Sequence, residues 1–173
     1  MTAQKSKVSV HTVERDFVLT RIIEAPRDRV FKAWTNTDQL AKWWGPRQYP
    51  ARCEGDFRVG GSIRLVMVGP DGKEYPMTAV IKEIKAPERL VWLQDCSEHP
   101  LDWHEQVNKF RPNASGNIGE MLLTITFEEF EGKTKMTVTM HFDAATDRDA
   151  LVKVGMTEGW SESFEKLEEM LAV

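Results

Sequence analysis

A group of polar side chains near the middle of the chain has the residue types needed for proton transfer or metal binding. His99 and His104 share a short segment with three carboxylates, those of Asp95, Asp102 and Glu105. A histidine beside a carboxylate can act as a general acid or base, and both groups bind metal ions. The spacing of the two histidines matches no standard zinc pattern, and a solvated loop explains the group equally simply. We therefore expect no metal, no cofactor and no assigned catalytic residue.

Two other patterns favour structural roles over chemical ones. Gly60-Gly61 lacks the remaining glycines and the strand-to-helix setting of a phosphate-binding loop. Glu158 would need a raised pKa to act as a base, and the helical pattern places it on a polar side. Cys53 and Cys96 are too few for a disulfide scaffold or a thiolate zinc site, so we expect reduced thiols, with a single bridge left open.

Methionines and tryptophans supply candidates for a site that binds rather than reacts. Six methionines fall in predicted strands or in the predicted last helix: Met67, Met77, Met121, Met136, Met140 and Met156. Methionine adapts its shape to irregular apolar volumes, so this set fits a packed core as well as a ligand cavity. Trp43 and Trp44 point to different sides of a helix, and at most one of them is expected to face a cavity.

These candidates must be positioned by a long amphipathic helix at the end of the chain. Its apolar residues follow i, i+4, i+7, i+11 spacing and share one stripe: Trp160, Phe164, Leu167 and Leu171. Gly155 and Gly159 lie near the stripe, although glycine costs about 1 kcal/mol relative to alanine inside a helix. We therefore expect a strand or a ligand to approach the helix backbone there.

The rest of the chain predicts an antiparallel sheet to cover that stripe. Residues 17–24 read as a first strand, and two short helices follow over residues 28–34 and 39–44. A period of two then predicts about six further strands between residues 52 and 142. Residues 95–118 show no clear period and predict a long loop. The expected class is α+β, in which a bent sheet packs on the last helix.

Composition fits one domain over residues 1–173. The chain has 173 residues, of which 41% are hydrophobic, and we expect residues 1–12 to form a disordered or loosely held tail. A net charge of −4 argues against nucleic acid as a partner, and the densest basic stretch, which begins at Arg21, looks like ordinary solvated surface. Neither a signal peptide nor a membrane-spanning segment is predicted, so we expect no membrane contact and a cytoplasmic location.

Several short motifs occur in an order that is specific in combination. They are Ile23-x-Ala25-Pro26, Val30-Phe31-x-Ala33-Trp34, Leu40-x-x-Trp43-Trp44-Gly45-Pro46, Asp56-Phe57-Arg58-Val59-Gly60-Gly61, Pro70-Asp71-Gly72, Ile84-x-x-Pro87-x-Arg89-Leu90 and Glu158-Gly159-Trp160. This series resembles the family named after the activator of the heat-shock-protein-90 ATPase, within the START-like (SRPBCC) helix-grip superfamily. The resemblance implies a sheet of about seven strands wrapped around the C-terminal helix, with a cavity between them and the two short helices closing one end.

The resemblance does not choose one activity, because relatives include ligand carriers, cyclases and a co-chaperone domain. Our main hypothesis is binding of a small hydrophobic or aromatic ligand by a monomer or homodimer. The expected lining is Trp44, Met67, Met77, Trp92, Met121, Leu123, Met140, Met156, Trp160 and Phe164, with His104 and Glu105 as polar groups at the mouth. The alternatives are a cyclase- or hydrolase-like enzyme that uses a loop histidine or an acidic partner in the same cavity, and a protein-interaction module that contacts a chaperone.

Overall fold

The computed structural model describes residues 8–114 and 116–172, which contain eight strands and five helices. The strands are Ser9–Val13 (β1), Asp16–Ile23 (β2), Ala51–Gly55 (β3), Ser62–Val68 (β4), Glu74–Lys85 (β5), Arg89–Asp95 (β6), Met121–Phe130 (β7) and Lys133–His141 (β8). The helices are Arg27–Thr35 (α1), Thr37–Trp43 (α2), Leu101–Asn108 (α3), Ala145–Lys153 (α4) and Met156–Leu171 (α5).

The strands form one antiparallel sheet in the order β1-β2-β8-β7-β6-β5-β4-β3. All pairs of neighbouring strands but one are consecutive in the chain. The exception is the pair of β2 and β8, in which Phe17 lies opposite Met140. This pairing joins the start of the chain to the hairpin that precedes the last two helices. The predicted α+β architecture is confirmed, with eight strands rather than about seven.

The inner face of the sheet follows the alternation seen in the sequence. In β7 and β8 the buried apolar residues are Met121, Leu123, Ile125, Phe127, Met136, Val138 and Met140. Successive strand residues point to opposite faces, so these side chains share the face that packs on the helices. The predicted stripe of α5 covers the same core, and Trp160, Phe164, Leu167 and Leu171 are all buried.

An aromatic cluster fixes the two short helices against the sheet and α5. Trp34 of α1 lies at its centre, with its ring centroid 4.8 Å from that of Trp43 and 6.2 Å from that of Trp160. The indole N–H of Trp34 points at the sulfur of Met136 at 3.2 Å, and that of Trp43 donates to the Ala33 carbonyl at 2.9 Å. Both buried indoles therefore have partners, as such groups require.

One basic residue lies in the interior, contrary to the prediction of a solvated basic stretch. Arg21 is only 4% exposed and forms a bidentate pair with Glu168 of α5, with nitrogen–oxygen distances of 3.0 and 3.1 Å. Arg21 lies on the inner side of β2, where a guanidinium requires a carboxylate partner. This pair links the second strand directly to the last helix.

The prediction of a tail over residues 1–12 is wrong for residues 9–12. Ser9–Val13 form β1, which pairs with β2 through Val10 opposite Leu19 and Val13 opposite Asp16. All five residues of β1 are exposed, so the strand shows no hydrophobic alternation in the sequence. Residues 1–7 lie outside the described part of the chain.

The prediction of a long loop over residues 95–118 is wrong for its middle, where Leu101–Asn108 form α3. Pro100 immediately precedes this helix, at a position where its fixed φ and missing N–H are tolerated. His104 and Val107 are buried one turn apart. A helix of two turns shows this spacing only once, which is too little for a period to be recognised.

The sequence pattern also did not predict α4, which ends two residues before Gly155. Gly155 separates the two helices and has a φ of +106°, a left-handed conformation that favours glycine. This glycine therefore allows a change of direction before α5 instead of weakening the interior of α5.

The longest helix in residues 8–114 and 116–172 is α5, with 16 residues. A helix needs about 20 apolar residues to cross a bilayer, and no helix in this part of the chain is long and apolar enough.

Candidate functional site

A cavity of about 210 Å³ lies between α5 and the inner face of the sheet and opens to solvent. Strands β4, β6, β7 and β8 each contribute a side chain to its lining. Helices α3, α4 and α5 also contribute, together with the segments that follow α2, β6 and α4. Seven lining residues remain partly exposed: Pro46, Met67, Trp103, Val154, Gly155, Met156 and Gly159.

Six of the ten residues expected to line a cavity do line it. They are Trp44, Met67, Met121, Met140, Met156 and Trp160. Four methionines and two tryptophans give a wall that is apolar and adaptable in shape. Only one of the two adjacent tryptophans, Trp44, faces the cavity, as their positions on a helix predicted.

The other four expected residues lie in the surrounding core rather than in the lining: Met77, Trp92, Leu123 and Phe164. Trp92 is fully buried, and its ring lies 5.6 Å from that of Trp34 and 6.3 Å from that of Phe57. Phe164 packs against Trp43 and Trp160. Alternation correctly placed these residues on the inner side, but it cannot distinguish a residue at a void from one at a packed contact.

Neither polar residue expected at the mouth takes part in the lining. His104 points its Nε2 at the Ser97 carbonyl, 3.1 Å away, and is itself buried in α3. Glu105 is exposed on the outer side of the same helix. Both positions follow from the helical conformation of α3, whose inner face carries Trp103 and His104 and whose outer face carries Glu105.

The segment after α2 is fastened to α5 and forms one wall of the cavity. The Gly45 N–H donates to the hydroxyl of Ser163 at 2.9 Å, and that hydroxyl donates to the Gly159 carbonyl at 2.9 Å. The ammonium of Lys166 donates to the carbonyls of Trp44 and Gly45 at 3.3 and 3.0 Å. These bonds hold the indole of Trp44 in place over the cavity.

Gly45 is required at its position by both conformation and space. Its φ is +89°, and a Cβ placed there would lie 2.5 Å from the sulfur of Met67. Glycine adopts this conformation without steric cost, whereas other residues rarely do. The wall can therefore approach Met67 closely only because residue 45 has no side chain.

Of the histidines and carboxylates between Asp95 and Glu105, His99 is the one that lines the cavity. It is buried and lies between aromatic rings, with centroids 4.5 Å from Trp103 and 5.5 Å from Tyr75. Burial lowers its pKa to about 4, partly offset by a hydrogen bond to the Pro76 carbonyl. His99 is therefore neutral at physiological pH. The prediction that it belongs to a solvated loop is wrong.

Sequence reasoning missed three further polar lining residues, Gln94, Cys96 and Ser163. Gln94 continues the inward alternation of Leu90 and Trp92 in β6, and a glutamine at such a position was the signal available in the sequence. Its side-chain oxygen accepts a hydrogen bond from the Trp92 indole at 3.2 Å. Cys96 is a free thiol whose burial raises its pKa to about 12, so it is not a nucleophile at neutral pH.

A buried ion pair joins the helices beside the opening. The guanidinium of Arg111, just after α3, donates through Nε to Asp147 of α4 at 2.7 Å. It also donates to the Asn108 side chain at 2.7 Å and to the Gly116 carbonyl at 2.9 Å. This network holds the end of α3 against α4, and each of these two helices contributes lining residues.

The sequence profile of the family described as activator of Hsp90 ATPase homolog 1-like protein matches residues 24–172. The chain belongs to this family. The matched stretch contains every residue that lines the cavity of this family member. The resemblance identified from the ordered motifs is thereby confirmed.

Solved structures show that the family member has the START-like helix-grip fold. A protein from Arthrobacter aurescens, solved by NMR, is 27% identical, with a TM-score of 0.79 over 95% of this chain and 91% of that one. Protein Ms6760 from Mycobacterium smegmatis is 24% identical, with a TM-score of 0.78 over 95% and 96%. CalU16 from Micromonospora echinospora is 17% identical, with a TM-score of 0.61 over 99% and 77%. No curated protein matches this family member.

The donor set of the cavity does not resemble a metal centre. Its lining offers one thiol and one imidazole, those of Cys96 and His99, and the thiol keeps its proton at neutral pH because burial raises its pKa. Across residues 8–114 and 116–172 of this family member, no three histidine, cysteine or carboxylate side chains are grouped to hold an ion. What the arrangement supplies is an apolar volume with a few fixed polar groups, which is typical of small-molecule sites.

Proposed function

We propose that the protein binds a small apolar or aromatic molecule in the cavity between α5 and the sheet. The observation that carries this proposal is Gly159, which is the fourth residue of α5 and faces the cavity. A Cβ at Gly159 would meet only the Pro46 ring, at an ordinary contact distance of 3.8 Å. Alanine would therefore fit, and helix propensity would favour it by about 1 kcal/mol. A glycine at this position keeps volume available at a cost in helix stability, as a binding site requires.

The size of the cavity limits the ligand to about two fused rings. A cavity of about 150 Å³ lined by apolar side chains accommodates benzene in another protein. The volume here is about 210 Å³. Naphthalene is therefore a suitable probe, and at about 0.5 kcal/mol per carbon atom its Kd would be about 10⁻⁴ M.

Filling the volume beside Gly159 is expected to weaken binding of that probe. The variant Gly159→Leu places a branched side chain in the cavity, and we expect its Kd for naphthalene to be at least about tenfold higher than that of the wild type. The control is Glu158→Leu, which adds the same side chain one residue earlier, at an exposed position outside the lining. Both Kd values can be obtained from tryptophan fluorescence, because Trp44 and Trp160 line the cavity.

Two results would contradict the proposal. One is the absence of any saturable response in the wild type. The other is an equal Kd for the wild type and the variant Gly159→Leu, which would place the bound naphthalene elsewhere. Thermal unfolding of both leucine variants shows whether a lost response reflects a blocked cavity or an unfolded protein.

The two alternatives have less support from the geometry. An enzyme of the cyclase or hydrolase kind would use a loop histidine or an acidic partner in the cavity. His104 instead points its Nε2 at a backbone carbonyl, and His99 lines the cavity without a carboxylate beside it among the described lining residues. A protein-interaction role with a chaperone, the oligomeric state and a cytoplasmic location all stay predictions.

A further inference from the structure

The cavity contains one hydrogen-bond acceptor whose protonation state follows from its surroundings. Nδ1 of His99 lies 2.9 Å from the carbonyl oxygen of Pro76. A carbonyl oxygen can only accept, so Nδ1 must carry the proton in this contact. Because burial keeps the ring neutral, the other nitrogen, Nε2, holds a lone pair and accepts a hydrogen bond.

Nε2 of His99 has no hydrogen-bond partner among the described residues. None of the fully enclosed side-chain nitrogen or oxygen atoms in this part of the chain is unpaired, so Nε2 retains some accessible surface. The residue lines the cavity, and the rings of Tyr75 and Trp103 fix the plane of the imidazole. The accessible acceptor is thus held in one orientation at a site whose lining is mostly apolar.

Gln94 adds a second oriented polar group. The Trp92 indole is a donor only, so the amide atom that faces it must be the oxygen, and this contact fixes which way the amide points. The amide nitrogen lies 4.0 Å from the sulfur of Cys96, which is a weak contact for a group with two hydrogens. The lining therefore offers an acceptor at His99 and a donor at Gln94.

We propose that the cavity selects aromatic molecules that carry one hydrogen-bond donor on the ring, of the phenol or indole class, and that this donor binds Nε2 of His99. This inference rests on the proposed function, because it specifies the ligand of the same cavity. A donor buried in an apolar cavity without a partner weakens binding, whereas a matched acceptor reverses the effect. Discrimination by a fixed polar group is also sharper than discrimination by an apolar wall.

The test compares naphthalene with 1-naphthol and 2-naphthol, which share the ring system and differ by one hydroxyl. In the wild type we expect the better naphthol to bind about fivefold more tightly than naphthalene. The variant His99→Phe keeps an aromatic ring at this position and removes the acceptor. The Kd of naphthalene divided by the Kd of the naphthol should therefore fall at least about tenfold. The control His141→Phe changes an exposed histidine outside the cavity and should leave the ratio unchanged.

A second measurement on the wild type keeps the proposal testable if His99→Phe does not fold. Long-range proton–nitrogen NMR spectra report the tautomer and the hydrogen bonding of each imidazole. On saturation with a naphthol, the Nε2 resonance of His99 should move upfield, in the direction of an accepted hydrogen bond, and naphthalene should leave it nearly unchanged. An Nε2 resonance that does not respond to either naphthol would overturn the proposal.

The outcomes separate this inference from the one on which it rests. If naphthalene binds and the ratio of its Kd to that of the naphthol is the same in the wild type and in His99→Phe, the role of His99 is overturned and the cavity proposal stays intact. Failure of naphthalene and of both naphthols to bind overturns both proposals.

Discussion

Replacing Arg111 by alanine is expected to lower the free energy of unfolding by about 3–5 kcal/mol, the range seen when one partner of a buried ion pair is removed. Arg111 and Asp147 have side chains only 6% and 9% exposed, with Nε and Oδ1 2.7 Å apart. Without the guanidinium, the Asp147 carboxylate would remain buried and uncompensated. Asn108 and Gly116 would also lose a donor. Urea denaturation of the wild type and the variant measures the difference.

A matched surface arginine distinguishes this effect from the loss of any ion pair. Arg52 pairs with Glu74 at 3.0 Å, but both side chains are more than half exposed. The variant Arg52→Ala should therefore cost no more than about 1 kcal/mol. The double variant Arg111→Met/Asp147→Leu, which removes both charges and retains apolar volume, should recover much of the lost stability. Equal losses for the two alanine variants would show that the Arg111–Asp147 pair is not held in a buried network.

The stability of the protein is expected to fall by about 3 kcal/mol between pH 6.5 and pH 4 through His99 alone. The pKa of this histidine is lowered to about 4 in the folded protein from an ordinary value of 6.5. Between these two pH values the unfolded chain binds a proton that the folded protein does not. The contribution of His99 is therefore fully present above pH 6.5 and is lost as the pH falls through 4. Its cause is burial, with a smaller repulsive contribution from His104.

Comparison with His99→Phe isolates this contribution from that of the carboxylates, which also titrate near pH 4. The free energy of unfolding is measured by denaturation at pH 7 and at pH 4 for both proteins. The wild type should lose about 3 kcal/mol more than the variant over this interval. The variant His11→Phe changes an exposed histidine whose side chain has no ion-pair partner among the described residues, so it serves as the control and should retain the wild-type dependence. An identical pH dependence in the wild type and His99→Phe would mean that His99 is solvated.

The parts of the fold that the sequence predicted are those with a long, regular period. The alternation in β7 and β8 extends over several residues on each strand, and the stripe of α5 extends over three turns. Each pattern exists because one face of the element is buried and the other is not. The ordered motifs added the connection between these elements, which periodicity alone does not give.

The parts that escaped prediction have no such asymmetry. Strand β1 is exposed along its whole length and is held by backbone pairing with β2, which leaves no trace in residue type. Helix α3 is two turns long, and α4 buries charged residues, Asp147 and Arg148, beside Leu151. A pattern based on hydrophobicity cannot recognise a helix whose inner face is charged.

The sequence predicted part of the apolar lining of the cavity and none of its polar groups. The alternation of side chains along β7 and β8 indicates that Met121 and Met140 point inward, and both line the cavity. The burial of His99 depends on Tyr75 and Trp103, which come from two other elements, so only the packed structure shows it. For the same reason Met77 and Leu123, which also point inward, lie in the packed core instead.

Methyl NMR of methionine-labelled protein titrated with naphthalene tests the central claim most directly, because methionines lie both in the cavity lining and away from it. Aromatic ring currents shift the resonances of methyl groups close to the bound ring. We predict saturable shifts for the methyls of Met67, Met121, Met140 and Met156, which line the cavity, and none for the methyls of Met136 and Met170, which do not. Unshifted cavity methyls at saturating naphthalene, or shifts confined to Met136 or Met170, would contradict the assignment of this cavity as a ligand site.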